Sequence, residues 1–167
     1  MRHAKSSWDN AAMSDFERPL NERGLKTAPL MGEYIRENQL QPDSIVSSPA
    51  ERARQTAQLV KESAQIESEI IFNENIYEAS VGRLLEVIGE QPETVKSILL
   101  VGHNPGLEGL IKFTTGETHA MPTAALAIID LPIEKWSDVG NSEGDLRDLI
   151  RPKEIEAMEN GKWKMEN

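Results

Sequence analysis

Two histidines and two arginines of this sequence are side chains of the kinds that phosphoryl chemistry needs. They lie in three segments far apart along the chain: Arg2-His3-Ala4-Lys5, Ser48-Pro49-Ala50-Glu51-Arg52 and Gly102-His103-Asn104-Pro105. Each segment is predicted where a strand gives way to a loop or a helix, and open α/β sheets bind their ligands at that edge. We therefore expect the sheet to gather these four side chains in one place.

The residue types suit the transfer of a phosphoryl group. Arginine is permanently charged and grips phosphate oxygens through two parallel hydrogen bonds. A neutral imidazole can attack phosphorus at physiological pH, whereas a serine would need a separate base. Arg52 and His103 also lie near predicted helix starts, whose backbone N–H groups favour anions. Together the four side chains indicate a pocket for a phosphoryl group.

Short apolar runs rich in β-branched residues alternate with longer segments of helical period, which is typical of an α/β fold. The predicted strands are Ser44–Ser47, Glu69–Phe72, Ser97–Val101 and Leu126–Leu131. The third run is apolar almost throughout, as expected for a strand covered on both faces. We predict a three-layer α/β/α sandwich with a mostly parallel central sheet, formed by residues 1–167 as a single domain.

Helices are predicted between the strands. The Ser48–Glu51 pattern is that of a capping box with proline at the first helical position, and it should open a helix that runs to about Ser63. The other predicted helices are Gly24–Glu37, which contains Pro29, Ser80 through Ile88, Asn104 through Ile111, and Asp145 to Asn160 with its end at Gly161. The segments Asp9–Asn21, Gly116–Thr123 and Pro132–Gly144 are predicted as loops.

The composition is globular, with 38% apolar and 28% charged residues. The formal net charge of −10 would repel nucleic acid and anionic lipid, so we expect neither nucleic acid nor a membrane as a partner. No stretch approaches the roughly 20 apolar residues of a membrane helix, and no basic-then-apolar leader is recognisable. The sequence has no cysteine, which excludes disulfides and favours a cytoplasmic location.

Neither a metal nor a nucleotide cofactor is indicated. The histidines are scattered, and without cysteine they offer no metal-ligand spacing. The glycine patterns of nucleotide-binding loops are absent as well. We expect no cofactor.

Several motifs follow one another in a fixed order. They are Arg2-His3-Ala4-Lys5, Asp15-x-x-Arg18-Pro19-Leu20, Ser48-Pro49-x-x-Arg52-Ala53-x-x-Thr56-Ala57, Val101-Gly102-His103-Asn104-Pro105 and Pro122-Thr123. In this order the sequence resembles the histidine phosphatase superfamily, and in particular its small SixA-type protein phosphohistidine phosphatases. The resemblance extends to about Pro132 and implies the phosphoglycerate mutase-like fold.

The resemblance implies a role for each position. His3 would be the nucleophile and would carry the phosphoryl group until water releases phosphate. Arg2, Arg52 and His103 would bind the phosphoryl oxygens, with His103 protonated or donating a proton. Many relatives carry an acidic proton donor on the loop after the third strand, where Glu78 is the candidate.

Plainer interpretations exist for each of these residues. Arg52 could form a helix-surface salt bridge, His103 could cap the following helix, and Glu78 could be a solvated loop carboxylate. Lys5 could line the phosphate entrance or lie in solvent. His119 lies on a polar loop and is expected to face solvent.

The expected activity is a metal-independent phosphatase that acts on protein phosphohistidine. The chain lacks the long insertion that larger relatives place over the site, and an open pocket admits a protein segment. A small-molecule phosphomonoester phosphatase of the same superfamily and a non-catalytic phosphate-binding module are the alternatives. Family members have a strand leading into the Arg-His pair, and none precedes Arg2 here, which leaves the positioning of His3 open.

Overall fold

The main sheet of the computed structural model, which describes residues 1–166 and the side chains of residues 1–161, has three parallel strands. Their order is β2 (Ile70–Phe72), β1 (Ser44–Ser47) and β3 (Ile98–Val101). In the register of the sheet, Val46 lies between Ile71 and Leu100. The three strands predicted in this part of the chain are confirmed, and all of them end at the same edge.

A second sheet pairs β4 (Leu126–Asp130) antiparallel with β5 (Asp145–Ile150). The predicted helix Asp145–Asn160 is therefore wrong over its first part. Leu146 and Leu149 both pack on the face that β4 shares with α4, because a register shift adds one residue between them. Their spacing of three imitates a helical period, although it comes from a β-bulge.

The first residues of the chain connect the two sheets. The amino group of Met1 donates to the Leu100 carbonyl at 2.7 Å, and the N–H of His3 donates to the Gly102 carbonyl at 3.0 Å. On the other side, the N–H of Ala124 donates to the His3 carbonyl at 3.0 Å. Met1 also lines an apolar groove of about 570 Å³ that lies between β3 and β4. His3 is thus fixed by backbone hydrogen bonds on both sides.

Helices cover both faces of the main sheet. Ile45 packs in one cluster with Val60, on the side of α1 and α2, whereas Val46 packs with Leu84 on the side of α3 and α4. The helices are α1 (Glu22–Glu37), α2 (Glu51–Ala64), α3 (Val81–Gly89), α4 (Gly106–Thr115) and α5 (Pro152–Glu166). This alternation along β1 confirms the α/β/α layers. None of the helices in the described part of the chain is long and apolar enough to cross a bilayer.

Several helix ends differ from the prediction: α1 begins at Glu22 and α4 at Gly106, and the caps predicted for α2 and α5 are wrong. α2 begins at Glu51, and its N-cap residue Ala50 makes no side-chain cap, so the capping box predicted at Ser48 is wrong. Ser48 is still tied to the sheet, because its N–H donates to the Val101 carbonyl at 3.0 Å. At the other end of the chain, α5 continues past Gly161.

Candidate active site

The ends of β1 and β3 and the first residues of the chain meet at one edge of the sheet. Arg2 forms a parallel bridge with Gly102, which places His3 beside His103. The two imidazole rings are 5.1 Å apart between centroids and tilted by 50°. Arg52 reaches the same place from the first turn of α2. The structure therefore brings together all four side chains that the sequence singled out.

His3 is buried and held in one tautomer. Its Nδ1 lies 2.7 Å from the Ala4 carbonyl oxygen, which can only accept, so Nδ1 carries the hydrogen and the Nε2 lone pair is free. Burial lowers the pKa of His3 to about 4, and the charges of Arg52 and Arg2 lower it as well. A neutral ring with an unprotonated Nε2 is the form that can act as a nucleophile at neutral pH.

His103 is the partner ring. Its Nε2 lies 2.8 Å from the Ser48 hydroxyl, and its buried Nδ1 has no hydrogen-bond partner within the part of the chain that the structure describes. The pKa of His103 is lowered to about 3, mainly by burial. The neighbouring His3 and Arg52 lower this pKa further. The rings of Tyr77 and His103 pack edge to face, with their centroids 5.6 Å apart. His103 is therefore a neutral ring in the free protein, and it has one buried nitrogen unused.

Arg2 approaches from the side of β4. Its Nη1 donates to the Met121 carbonyl at 2.9 Å, while its Nε is buried without a partner among the described residues. Burial lowers the pKa of Arg2, and Glu108 opposes this shift. A buried N–H donor beside two imidazoles is suited to an anionic oxygen.

Arg52 is held by Asp15, a residue that the sequence reasoning did not place in the site. Nη1 donates to the Asp15 carbonyl at 2.7 Å, and Nη2 pairs with its carboxylate at 3.0 Å. The hydroxyl of Tyr77 donates to the same carboxylate at 2.7 Å. The Tyr77 bond, with the pairing to Arg18 and Arg52, lowers the pKa of Asp15 to about 2. The carboxylate thus remains ionised and orients the guanidinium.

Residues 1–100 match the model of the histidine phosphatase superfamily (branch 1). The chain belongs to this superfamily. It is similar to a structure assigned as the phosphohistidine phosphatase SixA of Agrobacterium tumefaciens, with 31% identity, a TM-score of 0.79 and coverage of 91% of this chain and 95% of that one. A protein histidine phosphatase SixA complexed with tungstate is 25% identical, with a TM-score of 0.80 and coverage of 93% and 96%.

Among relatives of known sequence, an uncharacterized protein of Mycobacterium tuberculosis is 31% identical over 150 residues, which are 83% of this chain and 91% of the relative. The chain is a SixA-type histidine phosphatase. Membership explains why a chain with a formal charge of −10 concentrates two guanidiniums at one sheet edge. The superfamily is one of phosphatases that act through histidine.

The remaining candidates of this SixA-type chain lie around the cup formed by Arg2, His3, Arg52 and His103. The side chain of Lys5 is exposed, and its backbone carbonyl accepts the N–H of Asn21 at 2.9 Å. Glu78 is exposed and has a φ of 50°, and it is the preceding Tyr77 that contacts His103. Neither Lys5 nor Glu78 is drawn into the interior of the site.

His119 lies away from the cup, and Arg18 lies beside it. His119 pairs with Glu117 at 2.7 Å on an exposed loop. Arg18 is buried beneath the exposed ring of Trp8, and it donates to Asp15 at 2.8 Å. Arg18 therefore supports the carboxylate that orients Arg52. The Asp15-x-x-Arg18 spacing was the sequence signal for this contact.

Proposed function

We propose that this chain is a metal-independent phosphatase that hydrolyses phosphohistidine on proteins, with His3 as its nucleophile. The observation that carries the proposal is the state of His3, a buried neutral ring whose Nδ1 is held at 2.7 Å by the Ala4 carbonyl. The similar structures are named as phosphohistidine or protein histidine phosphatases, which supports this substrate class.

The reaction consists of two displacements at phosphorus. In the first, Nε2 of His3 bonds to phosphorus while the bond between phosphorus and the substrate nitrogen breaks. The substrate imidazole, already protonated by solvent on its other nitrogen, leaves as neutral imidazole with the bonding electron pair. In the second, water bonds to phosphorus, its proton is released, and the bond to His3 breaks to give orthophosphate. Arg2, Arg52 and His103 hold the other phosphoryl oxygens during both steps. Losing one such donor should lower the rate on the order of 10²–10³-fold.

The carboxylates around the site are poorly suited to protonating a leaving group. This favours substrates whose leaving group needs little protonation. The Asp15 carboxyl has a pKa of about 2 because it accepts hydrogen bonds from Tyr77 and Arg18, so it is a poor proton donor at neutral pH. Glu78 is exposed. A phosphohistidine that is protonated on its other ring nitrogen leaves as neutral imidazole, which is a much weaker base than an alkoxide and needs no acid at the breaking bond. This supports phosphohistidine over alkyl phosphate esters.

Glu78 is the proposed donor for substrates that do need an acid. Glu78→Gln should then lower kcat on an alkyl phosphate by 10²-fold or more and leave an aryl phosphate nearly unaffected, since general acids typically contribute on the order of 10²–10⁴-fold. Glu74→Gln, which changes an exposed carboxylate of the preceding 3-10 helix, is the control. Equal decreases in kcat on the alkyl and the aryl phosphate would show that Glu78 is not the proton donor.

The nucleophile is tested with an aryl phosphate in the presence of a chelator. Wild type and His119→Ala should turn over and form an acid-labile phosphoenzyme, whereas His3→Ala should do neither. His119 is the matched control because it is a histidine that pairs with Glu117 outside the cup. If wild type forms no phosphoenzyme and no product, the alternative of a non-catalytic phosphate-binding module is correct.

The substrate class is tested by parallel assays on a phosphohistidine-bearing protein and on a panel of small phosphomonoesters. We expect kcat/KM to be highest on the protein. A clear preference for one metabolite would instead identify a small-molecule phosphatase of the same superfamily.

A further inference from the structure

Ser48 lies in the interior between β1, β3 and α2. It is fully buried, and its N–H is bonded to the Val101 carbonyl at 3.0 Å. Its hydroxyl therefore has a fixed position and must find its hydrogen-bond partners within the protein.

The partners of this hydroxyl determine its direction. The N–H of Ala50 donates to Ser48 Oγ at 3.3 Å, and Nε2 of His103 lies 2.8 Å from the same oxygen. A hydroxyl has one hydrogen to donate. If His103 Nε2 accepts that hydrogen, the hydroxyl and Nε2 are both satisfied, and of these groups the Nδ1–H alone stays without a partner among the described residues. If Nε2 donated instead, both the buried O–H of Ser48 and the Nδ1 lone pair would lack a partner among the described residues, and each unsatisfied group costs about 1–3 kcal/mol.

The direction of this bond determines the tautomer of His103. With Nε2 as the acceptor, the hydrogen of the neutral ring is on Nδ1. This nitrogen is buried and has no partner within the described part of the chain, and its ring lies 5.1 Å from that of His3. The Nδ1–H is thus the group that His103 can offer to an oxygen held beside His3.

We propose that Ser48 is a positioning residue that fixes His103 as the Nδ1–H tautomer and so directs one N–H donor at the phosphoryl oxygen. The proposal rests on the proposed function for the identity of that oxygen, whereas the tautomer itself can be measured without any turnover. It also gives Ser48 a role other than the helix capping that its sequence context predicts.

The tautomer is tested by nitrogen-15 NMR of the imidazoles in the free protein. The sequence has three histidines, so His3→Gln and His119→Gln suffice to assign the signals of His103. We expect an Nδ1 shift of a protonated nitrogen and an Nε2 shift of an unprotonated one at neutral pH. The reverse pattern would overturn the proposal, and this outcome is independent of whether the protein is an active phosphatase.

The consequence for the site is tested with Ser48→Ala and a matched neighbour, Ser47→Ala. Ser47 is also fully buried, but within the described residues its hydroxyl donates to backbone alone, to the Ser48 carbonyl at 2.9 Å and the Ala53 carbonyl at 3.4 Å. Ser48→Ala should move the His103 signals toward the Nε2–H form and lower kcat on an aryl phosphate by about 10-fold with little change in KM, as for other residues that orient a functional histidine. Ser47→Ala should change neither.

An unchanged His103 tautomer in a folded Ser48→Ala variant would contradict the proposal. If Ser48→Ala does not fold, the wild-type spectrum still decides the assignment. If wild type has no activity but shows the Nδ1–H form, the proposed function fails while the assignment of Ser48 stands.

Discussion

Asp15 holds Arg52 through two different oxygen atoms, its backbone carbonyl at 2.7 Å from Nη1 and its carboxylate at 3.0 Å from Nη2. The same carboxylate accepts the Tyr77 hydroxyl at 2.7 Å. One residue of the loop before α1 therefore ties α2 to the segment before α3. This contact determines where the guanidinium points.

Asp15→Asn should lower the melting temperature at pH 7, because it removes the charge that pairs with Arg52 and Arg18. The Tyr77 hydrogen bond first, and then these arginines, lower the pKa of the Asp15 carboxyl from 3.8 to about 2. A lowered pKa in the folded state gives stability that is present above about pH 4 and is lost as the pH falls through about 2. The difference in melting temperature between wild type and variant should therefore persist from pH 7 to about pH 4 and narrow below that.

Thermal melts at pH 7, 5, 4 and 3 measure this difference. Asp9→Asn changes an exposed carboxylate of the same loop and is the control. A difference of constant size at every pH would mean that the charge of Asp15 contributes nothing.

Arg52→Lys should lower kcat/KM on an aryl phosphate on the order of 10²–10³-fold. A lysine has a single point charge and cannot donate to both Asp15 oxygens while it faces the phosphoryl group. The control is Arg54→Lys in the same helix, because the Arg54 guanidinium stacks on the Phe72 ring at 4.1 Å, outside the cup. Steady-state kinetics should show less than about a threefold change for that variant, and similar losses in both would point to a general effect on α2.

Gly24→Ala should damage both stability and activity. A Cβ on Gly24 would lie 2.2 Å from the backbone carbonyl oxygen of Lys5, two residues after His3. To remove this clash, the backbone of α1 or the backbone at Lys5 would have to move. Overpacking of this kind costs about 1–3 kcal/mol. Gly82→Ala is the matched control in the first turn of α3, where the nearest atom is 4.0 Å away, and it should be neutral or stabilising by up to about 1 kcal/mol.

The free energy of unfolding, from urea titrations, and kcat/KM are measured for both variants. If Gly24→Ala is as stable and as active as wild type, the close packing of α1 against the Lys5 backbone does not position His3.

The parts of the site that could be predicted from sequence are those carried by local motifs. Arg52 and His103 each follow a predicted strand end, and parallel strands bring such ends to one edge whatever the details of packing. His3 follows no predicted strand, and it is the Arg2-His3 motif that points to it. The helices and the three strands of the main sheet could be predicted for a similar reason, since their hydrophobic periods are local.

The parts that could not be predicted depend on contacts between distant segments. The set of Asp15, Arg52 and Tyr77 joins a loop, a helix and a turn that no sequence period relates. Ser48 has the pattern of a helix cap, but His103 competes for its hydroxyl. The strand β5 was predicted as helix because a bulge gives Leu146 and Leu149 a helical spacing.

The stability of the fold should decrease as the pH falls from about 6.5 toward 4, because two buried imidazoles are neutral in the folded state. Burial lowers the pKa of His3 to about 4 and that of His103 to about 3, from 6.5. Between these values the unfolded chain binds more protons than the folded one, so acid favours unfolding. Each imidazole contributes up to about 1.4 kcal/mol per pH unit in this window. Urea unfolding at pH 7, 6 and 5 should show a smaller slope for His3→Gln than for wild type or His119→Gln, and equal slopes would mean that His3 is not a buried neutral base.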